Sequence, residues 1–226
     1  MEKYKNILKN KGYCVFNLEE YDQNFLKYLE KIKCNSNKNI QNWMNHLRLD
    51  ARTNRLDNKS IQINDAFPNF ESAKNKVTEI LNSNEIKELN QVWYFKPAFE
   101  IDEIDIEYIK NFLKKVVINL YEIESNIKVD VSIDFTFYDI GGMIMPHKDA
   151  PENTSNRFCN ILIYLNETYD DNDGGLLILD DNKNVSPLFG NVAILDLKKF
   201  NIKHEVTKVT NGIGRYALLA FITIEE

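Results

Sequence analysis

Abundant cysteine, long apolar runs and an excess of positive charge are all missing from this 226-residue chain, and each absence excludes something. The three cysteines, Cys14, Cys34 and Cys159, are an odd number without metal-site spacing. They suit free structural thiols in a reducing compartment. No stretch approaches the roughly 20 apolar residues needed to cross a bilayer, and the opening Met1, Glu2, Lys3, Tyr4, Lys5 lacks the apolar core of a signal peptide. A cytoplasmic protein without membrane contact is expected. With 28 Lys and Arg against 34 Asp and Glu, the net charge is −6, which argues against nucleic acid because a phosphate backbone calls for concentrated base. The one arginine cluster, Arg48, Arg52 and Arg55, reads as a solvated helical face.

What is present is ordinary for a folded protein. The hydrophobic fraction of 43% and charged fraction of 27% lie near globular averages, and the length suits one domain, 1–226. Gly12 to Asn17 is a short β-rich run, followed by helical spacing over Leu18 to Ile32. The Asn-, Lys- and Arg-rich stretch 34–60, anchored only by Trp43, Met44 and Leu47, reads as a loop, insertion or lid. Amphipathic helices are predicted at about Asn69 to Leu81 and Asp105 to Tyr121. About 1–125 is therefore mainly helical support with one early strand. From Lys128 the texture becomes β-branched runs cut by Gly, Asn, Asp and Pro, the signature of an all-β sandwich or barrel over 128–226. The fold class is α+β.

Chemistry concentrates in that second half. In His147-Lys148-Asp149 the histidine and the carboxylate are two apart, so in extended backbone they share a side while Lys148 points away. His204 follows 57 positions later (204 − 147), inside the β-like run KHEVTKV. Two imidazoles and one carboxylate make the facial triad suited to non-haem Fe(II), although zinc hydrolases use the same ligand types. The third histidine, His46, is assigned no role. Arg215, 11 residues after His204 (215 − 204), opens the apolar strand RYALLAFITI, where a guanidinium is costly unless it meets a carboxylate. A dicarboxylic co-substrate would provide one; a surface arginine is the bland alternative.

Taken in order, these pieces resemble the prolyl-4-hydroxylase-like branch of the 2-oxoglutarate/Fe(II) oxygenases. The resemblance runs from Tyr138 to Phe221. It comprises Tyr138 with Gly141-Gly142, Pro146-His147-Lys148-Asp149, Tyr164-Leu165-Asn166, Gly174-Gly175-Leu176-Leu177, the Pro187 to Gly190 turn, His204-Glu205-Val206 and Gly214-Arg215-Tyr216-Ala217. The resemblance implies a double-stranded β-helix, a distorted jelly roll, with supporting N-terminal helices. It implies that His147, Asp149 and His204 bind Fe(II), that Arg215 pairs with the distal carboxylate of 2-oxoglutarate, and that Tyr164 and Tyr138 lend hydroxyls nearby. Dioxygen would be the other co-substrate, with succinate and carbon dioxide released as a C–H bond is hydroxylated. Related halogenases replace the triad carboxylate by a small residue; Asp149 is retained here, which favours hydroxylation. Leu176, where the family often has an acid, and Leu219, where it often has a hydroxyl, are departures.

The prime substrate is a small molecule or a peptide: an amino acid, a peptidyl residue or a biosynthetic intermediate. If Tyr138 faces the pocket, alternation turns Thr136 and Asp134 the same way and Ile133, Phe135 and Phe137 toward the helices, while Asn160 and Leu162 turn inward on the strand ending at Tyr164. A carboxylate at Asp134 would then suit an amine or amide; the alternative places it in water or beside a Lys or Arg. The competing functional reading is a cupin-like metal-binding protein, either a hydrolase or isomerase or a non-catalytic binding module.

Overall fold

The computed structural model describes residues 2–36, 44–53, 60–83, 85–97, 100, 103–149 and 156–225, without the side chains of 32–36 and 103–104. The side chain of Cys34, together with Trp43 and Arg55, lies outside the described residues.

The β-rich half folds into two facing antiparallel layers. β5 (Lys128–Tyr138), β7 (Arg157–Tyr164), β10 (Asn191–Asp196) and β12 (Arg215–Glu225) form one, in the order β10-β7-β12-β5. β6 (Met143–His147), β8 (Leu177–Leu179), β9 (Asn184–Val185) and β11 (His204–Val206) form the other, in the order β6-β11-β8-β9. This is the expected jelly roll of the double-stranded β-helix. The first layer is buried on both faces, and its residues sort by parity. On β7, Ile161 and Ile163 join a core shared with the helices, whereas Leu162 and Tyr164 join the core between the layers. On β5, Ile133, Phe135 and Phe137 go to the helical side, as alternation requires. Each such aliphatic side chain contributes about 1.5–3 kcal/mol on burial.

The N-terminal half departs from the sequence reading. α1 (Glu2–Lys11) precedes β1 (Tyr13–Asn17), which extends the first layer beside β10. The single helix expected over Leu18 to Ile32 is broken into α2 (Leu18–Tyr21) and α3 (Gln23–Ser36). Asp22 causes the break, since its Oδ1 accepts the backbone N–H of Asn24 at 3.0 Å and of Phe25 at 2.9 Å, capping a new helix. α4 (Phe70–Asn82) and α5 (Glu103–Tyr121) match the predicted helices, and Phe25 of α3 stacks on Phe112 of α5.

The larger correction concerns 34–60. Its described part is not a loop or lid but contains β2 (His46–Thr53), which pairs with β3 (Ser60–Ala66) on one side and β4 (Ile86–Pro97) on the other. Leu47, Leu49, Ala51 and Thr53 are buried at alternate positions, so Arg48 and Arg52 stand on the opposite face of a strand rather than on a helix. Among the described residues, the first 125 thus contribute four strands, not one. β4 pairs with β5 and with β6, joining the two layers. Among the described residues no helix is long and apolar enough to cross a membrane. Cys14 and Cys159 are buried free thiols, and burial pushes Cys14 up to about 12, so it stays protonated and inert.

Candidate active site

β6 ends on His147, Asp149 follows two residues later, and β11 opens with His204 directly opposite His147 in the antiparallel ladder. That single cross-strand pair closes the 57-residue gap. One ligand atom from each residue lies within 4.8 Å of the others, close enough to share one cation. Asp149 Oδ1 is 3.0 Å from His147 Nε2, and its Oδ2 is 3.3 Å from His204 Nε2. Each imidazole turns its other nitrogen to a backbone carbonyl: His147 Nδ1 to Met145 O at 2.9 Å, His204 Nδ1 to Ile202 O at 3.2 Å. A carbonyl only accepts, so both Nδ1 atoms carry a proton and both Nε2 atoms face the centre, where they donate to Asp149 and, once deprotonated, would offer lone pairs to a metal. Burial works to raise Asp149, but the hydrogen bonds and charges of His147 and His204 outweigh it and hold the carboxyl well below its ordinary range.

Asp149 has a third partner that the sequence did not disclose. Asn160, on β7 and 1% exposed, donates Nδ2 to Asp149 Oδ2 at 2.6 Å. Its Oδ1 has no partner among the described residues. Asn160, expected in the substrate wall, does line the cavity, yet its amide is engaged with the acidic member of the triad.

Arg215 is 1% exposed, the largest fully buried side chain described. Its Nη2 donates to Tyr164 Oη at 3.2 Å, and its guanidinium lies 4.7 Å from the Tyr138 ring centre and 5.0 Å from that of Tyr164. Its Nε has no hydrogen bond, and no carboxylate among the described residues lies within 4.0 Å of the group. A buried cation held by ring faces and one neutral hydroxyl is incomplete; it suits an anion from outside. The backbone is shaped around it. Gly175, at φ +70°, passes so close that a Cβ there would press on the Cβ and Cδ of Arg215 at 3.3 Å. Asn166 ties down the start of β12 on either side, donating to Gly214 O at 2.6 Å and accepting from Tyr216 N at 2.8 Å.

The three potential ligands and Arg215 open into one cavity of about 420 Å³. Its floor is the jelly roll, including Tyr138, Asp134, Leu162 and Leu219. Its opposite wall comes from the strands missed in the sequence: Arg48 of β2, Asn64 of β3, and Gln91, Trp93 and Phe95 of β4. The alternation of Leu47, Leu49 and Ala51 with Arg48, Asp50 and Arg52 was the signal available in the sequence for that wall. Not every expected site residue takes part in the expected way. Thr136 does not line the cavity: it is buried, and its hydroxyl is spent on the Ala217 carbonyl at 3.1 Å. Tyr164 stands behind Arg215 rather than in the cavity, so it acts on that region through the guanidinium. Tyr138 lines the cavity with its ring under Arg215 and stacked on Trp93 at 5.9 Å; burial raises its phenol, which stays neutral. Lys148, expected to point away, is exposed at the cavity rim. His46 lies 2.8 Å from Glu100, an ordinary polar contact.

Comparison with known proteins agrees with this geometry. Residues 133–223 match the family model of the 2OG-Fe(II) oxygenase superfamily. No curated protein matches the chain in sequence. Among solved structures, a Pseudomonas putida prolyl-4-hydroxylase superposes with a TM-score of 0.62 at 13% identity, covering 98% of this chain and 97% of that one. A Trichoplax adhaerens prolyl hydroxylase, solved with a hypoxia inducible factor oxygen degradation domain peptide fragment, gives 0.58 at 18% identity, covering 98% and 88%. A Burkholderia pseudomallei oxidoreductase of the 2OG-Fe(II) oxygenase family gives 0.58 at 12% identity, covering 98% and 90%. Identities this low establish the shared fold, and the donor set fits the family's cofactor: two Nε2 lone pairs and a carboxylate for iron, and an unpaired buried guanidinium for a dicarboxylate. Residues 133–223 therefore match the 2OG-Fe(II) oxygenase superfamily within a chain of prolyl-4-hydroxylase-like fold, and these findings support a 2-oxoglutarate-dependent dioxygenase with Fe(II) as cofactor and 2-oxoglutarate and dioxygen as co-substrates.

Proposed function

We propose that the chain hydroxylates an unactivated C–H bond of an amino acid, a peptidyl residue or a small biosynthetic intermediate, with His147, Asp149 and His204 holding the iron and Arg215 holding 2-oxoglutarate. The observation that carries this reading is the buried guanidinium of Arg215, lacking a carboxylate, in the same cavity as the triad. A zinc hydrolase or an incidental metal module has no use for that pairing.

When bound, iron and 2-oxoglutarate supply the oxidising power: dioxygen gives one oxygen atom to the substrate C–H and one to succinate, with release of carbon dioxide. The chain's own residues do the rest. Met145 O and Ile202 O accept hydrogen bonds from Nδ1–H of His147 and His204, which leaves the two Nε2 atoms to offer lone pairs to the metal. Asp149 brings one negative charge and is oriented by Asn160. Arg215 fixes the far end of the co-substrate, and Tyr164 aims Arg215 by accepting from Nη2. The Tyr138 ring, against the guanidinium, keeps water off that end. A cavity of about 420 Å³ has room for both a co-substrate and the reacting part of a substrate. Peptide binding by the Trichoplax relative supports a peptide as one form of substrate. The single-domain organisation and the absence of nucleic-acid partners belong to the same reading.

The test is succinate formation from 2-oxoglutarate with added Fe(II), with and without oxygen. Oxygen-dependent succinate that disappears in Arg215→Ala is expected. Oxygen-independent turnover of another metal's chemistry would sink the reading.

A further inference from the structure

Among the described residues, Asp134 is the one cavity-lining carboxylate outside the triad. It sits on β5, half-buried, opposite Leu219 of β12 and Pro97 of β4. It makes no hydrogen bond and no ion pair within 4.0 Å among the described residues, unlike Asp149, which has three partners. Burial pushes its carboxyl up to about 6, against the opposing influence of the Arg157 and His46 charges. Such a group is desolvated yet unpaired, and a carboxylate in that condition gains most from a donor carrying positive charge.

Its location separates it from the co-substrate. Arg215 and Leu219 lie four residues apart on β12, about 13 Å of strand, so Asp134 is well beyond the guanidinium. It lies two strands across the sheet and two residues out of register from Asn160, whose amide touches Asp149, a separation of about 12 Å. Between these points the wall includes the apolar Leu162, Leu219, Phe95 and Trp93, while Arg157, over the Phe221 ring at 4.0 Å, and Arg48 also line the cavity. Resting on the oxygenase reading for the position of the reacting centre, we infer that Asp134 is the anchor for a protonated primary amine on an alkyl stem, carried by the prime substrate. The stem lies along Leu219 and Phe95, which brings carbons several bonds from the nitrogen toward the triad.

The experiment is anaerobic calorimetry at pH 7.5 on the protein holding Fe(II) and 2-oxoglutarate, titrated with n-butylamine and with its neutral isostere 1-butanol. Wild type is expected to bind the ammonium at least ten-fold tighter than the alcohol. Asp134→Asn should abolish that preference and Asp134→Glu retain part of it, while 2-oxoglutarate affinity stays within two-fold. Asp134→Ser replaces the Asn variant if that one does not fold. Free L-lysine and a tripeptide with a central lysine and capped ends distinguish the two sources of the amine, and tighter binding of either over 1-butanol supports the subsite. Equal binding of amine and alcohol by wild type, or an undiminished preference in Asp134→Asn, overturns the inference. Amine binding by a wild type that fails to bind 2-oxoglutarate would instead sink the oxygenase reading and keep the subsite.

Discussion

Replacing Arg215 by methionine separates the two things its guanidinium does. Without a carboxylate, the buried group has one 3.2 Å hydrogen bond to a neutral hydroxyl, two ring faces and an unpartnered Nε. Exchanging a buried ionic group for a packed hydrophobe is neutral to stabilising by about 1–4 kcal/mol, and the lost cation–π contacts return about 1–2 kcal/mol of that. Arg215→Met should therefore be as stable as wild type, or up to about 2 kcal/mol more so, when 2-oxoglutarate is absent. The ligand reverses the comparison. At 100 times its dissociation constant, 2-oxoglutarate stabilises wild type by about 2.7 kcal/mol through mass action. Losing a desolvated charge pair costs about 2–5 kcal/mol of binding, so the variant should gain about 1 kcal/mol or less at the same concentration. Urea denaturation of both proteins in anaerobic Fe(II) buffer, with and without 2-oxoglutarate, measures all four values. A variant that is more than 1 kcal/mol less stable without ligand, yet gains as much as wild type with it, would refute the reasoning.

Other expected outcomes follow from single contacts. His147→Ala should leave the circular dichroism spectrum and the unfolding midpoint near wild type while abolishing succinate formation; a folded variant with full activity would remove His147 from the metal site. Asp149→Gly should cripple hydroxylation in the same way, and product analysis in chloride would show whether the vacated position admits halide. Asn160→Ala removes the 2.6 Å bond to Asp149 and should weaken Fe(II) binding by about 10–100-fold in an anaerobic titration; unchanged affinity would make that bond incidental. For Asp134 the sign follows from a folded pKa of about 6 against an ordinary 3.8: ionisation is disfavoured in the folded state, so the relative stability of the protonated form is lost as pH rises through 6. Two units correspond to about 3 kcal/mol, reduced to about 1–2 kcal/mol because the cavity is open to water. Asp134→Asn should be more stable than wild type by that amount at pH 8 and indistinguishable near pH 4, and a less stable variant at pH 8 would contradict the raised carboxyl.

Local patterns made much of the site readable before the fold was known. His147 and Asp149 share a side because strand parity acts between neighbours two apart, and Arg215 stood out because a charge opening an apolar strand has a cost visible in one dimension. The same parity correctly assigned Ile133, Phe135 and Phe137 to the helical face. Where the signal was diluted, the reading failed. β2 buries Ala51 and Thr53 beside two leucines and shows arginine on its other face, so its apolar content was too low to announce a strand, and the cavity wall built on β2, β3 and β4 went unseen. Asp22 split a helix whose apolar spacing continued through it, because a capping side chain competes with the backbone without disturbing the pattern. Meetings between distant residues depend on register across strands. The pairing of His204 with His147, the Asn160 amide on Asp149, and the loss of the Thr136 hydroxyl to Ala217 are all of this kind. Whether a charge is left unpaired is decided the same way, for Arg215 and for Asp134 alike: it depends on which groups the completed sheet brings within reach, and that sum over distant neighbours is written in no single stretch of the chain.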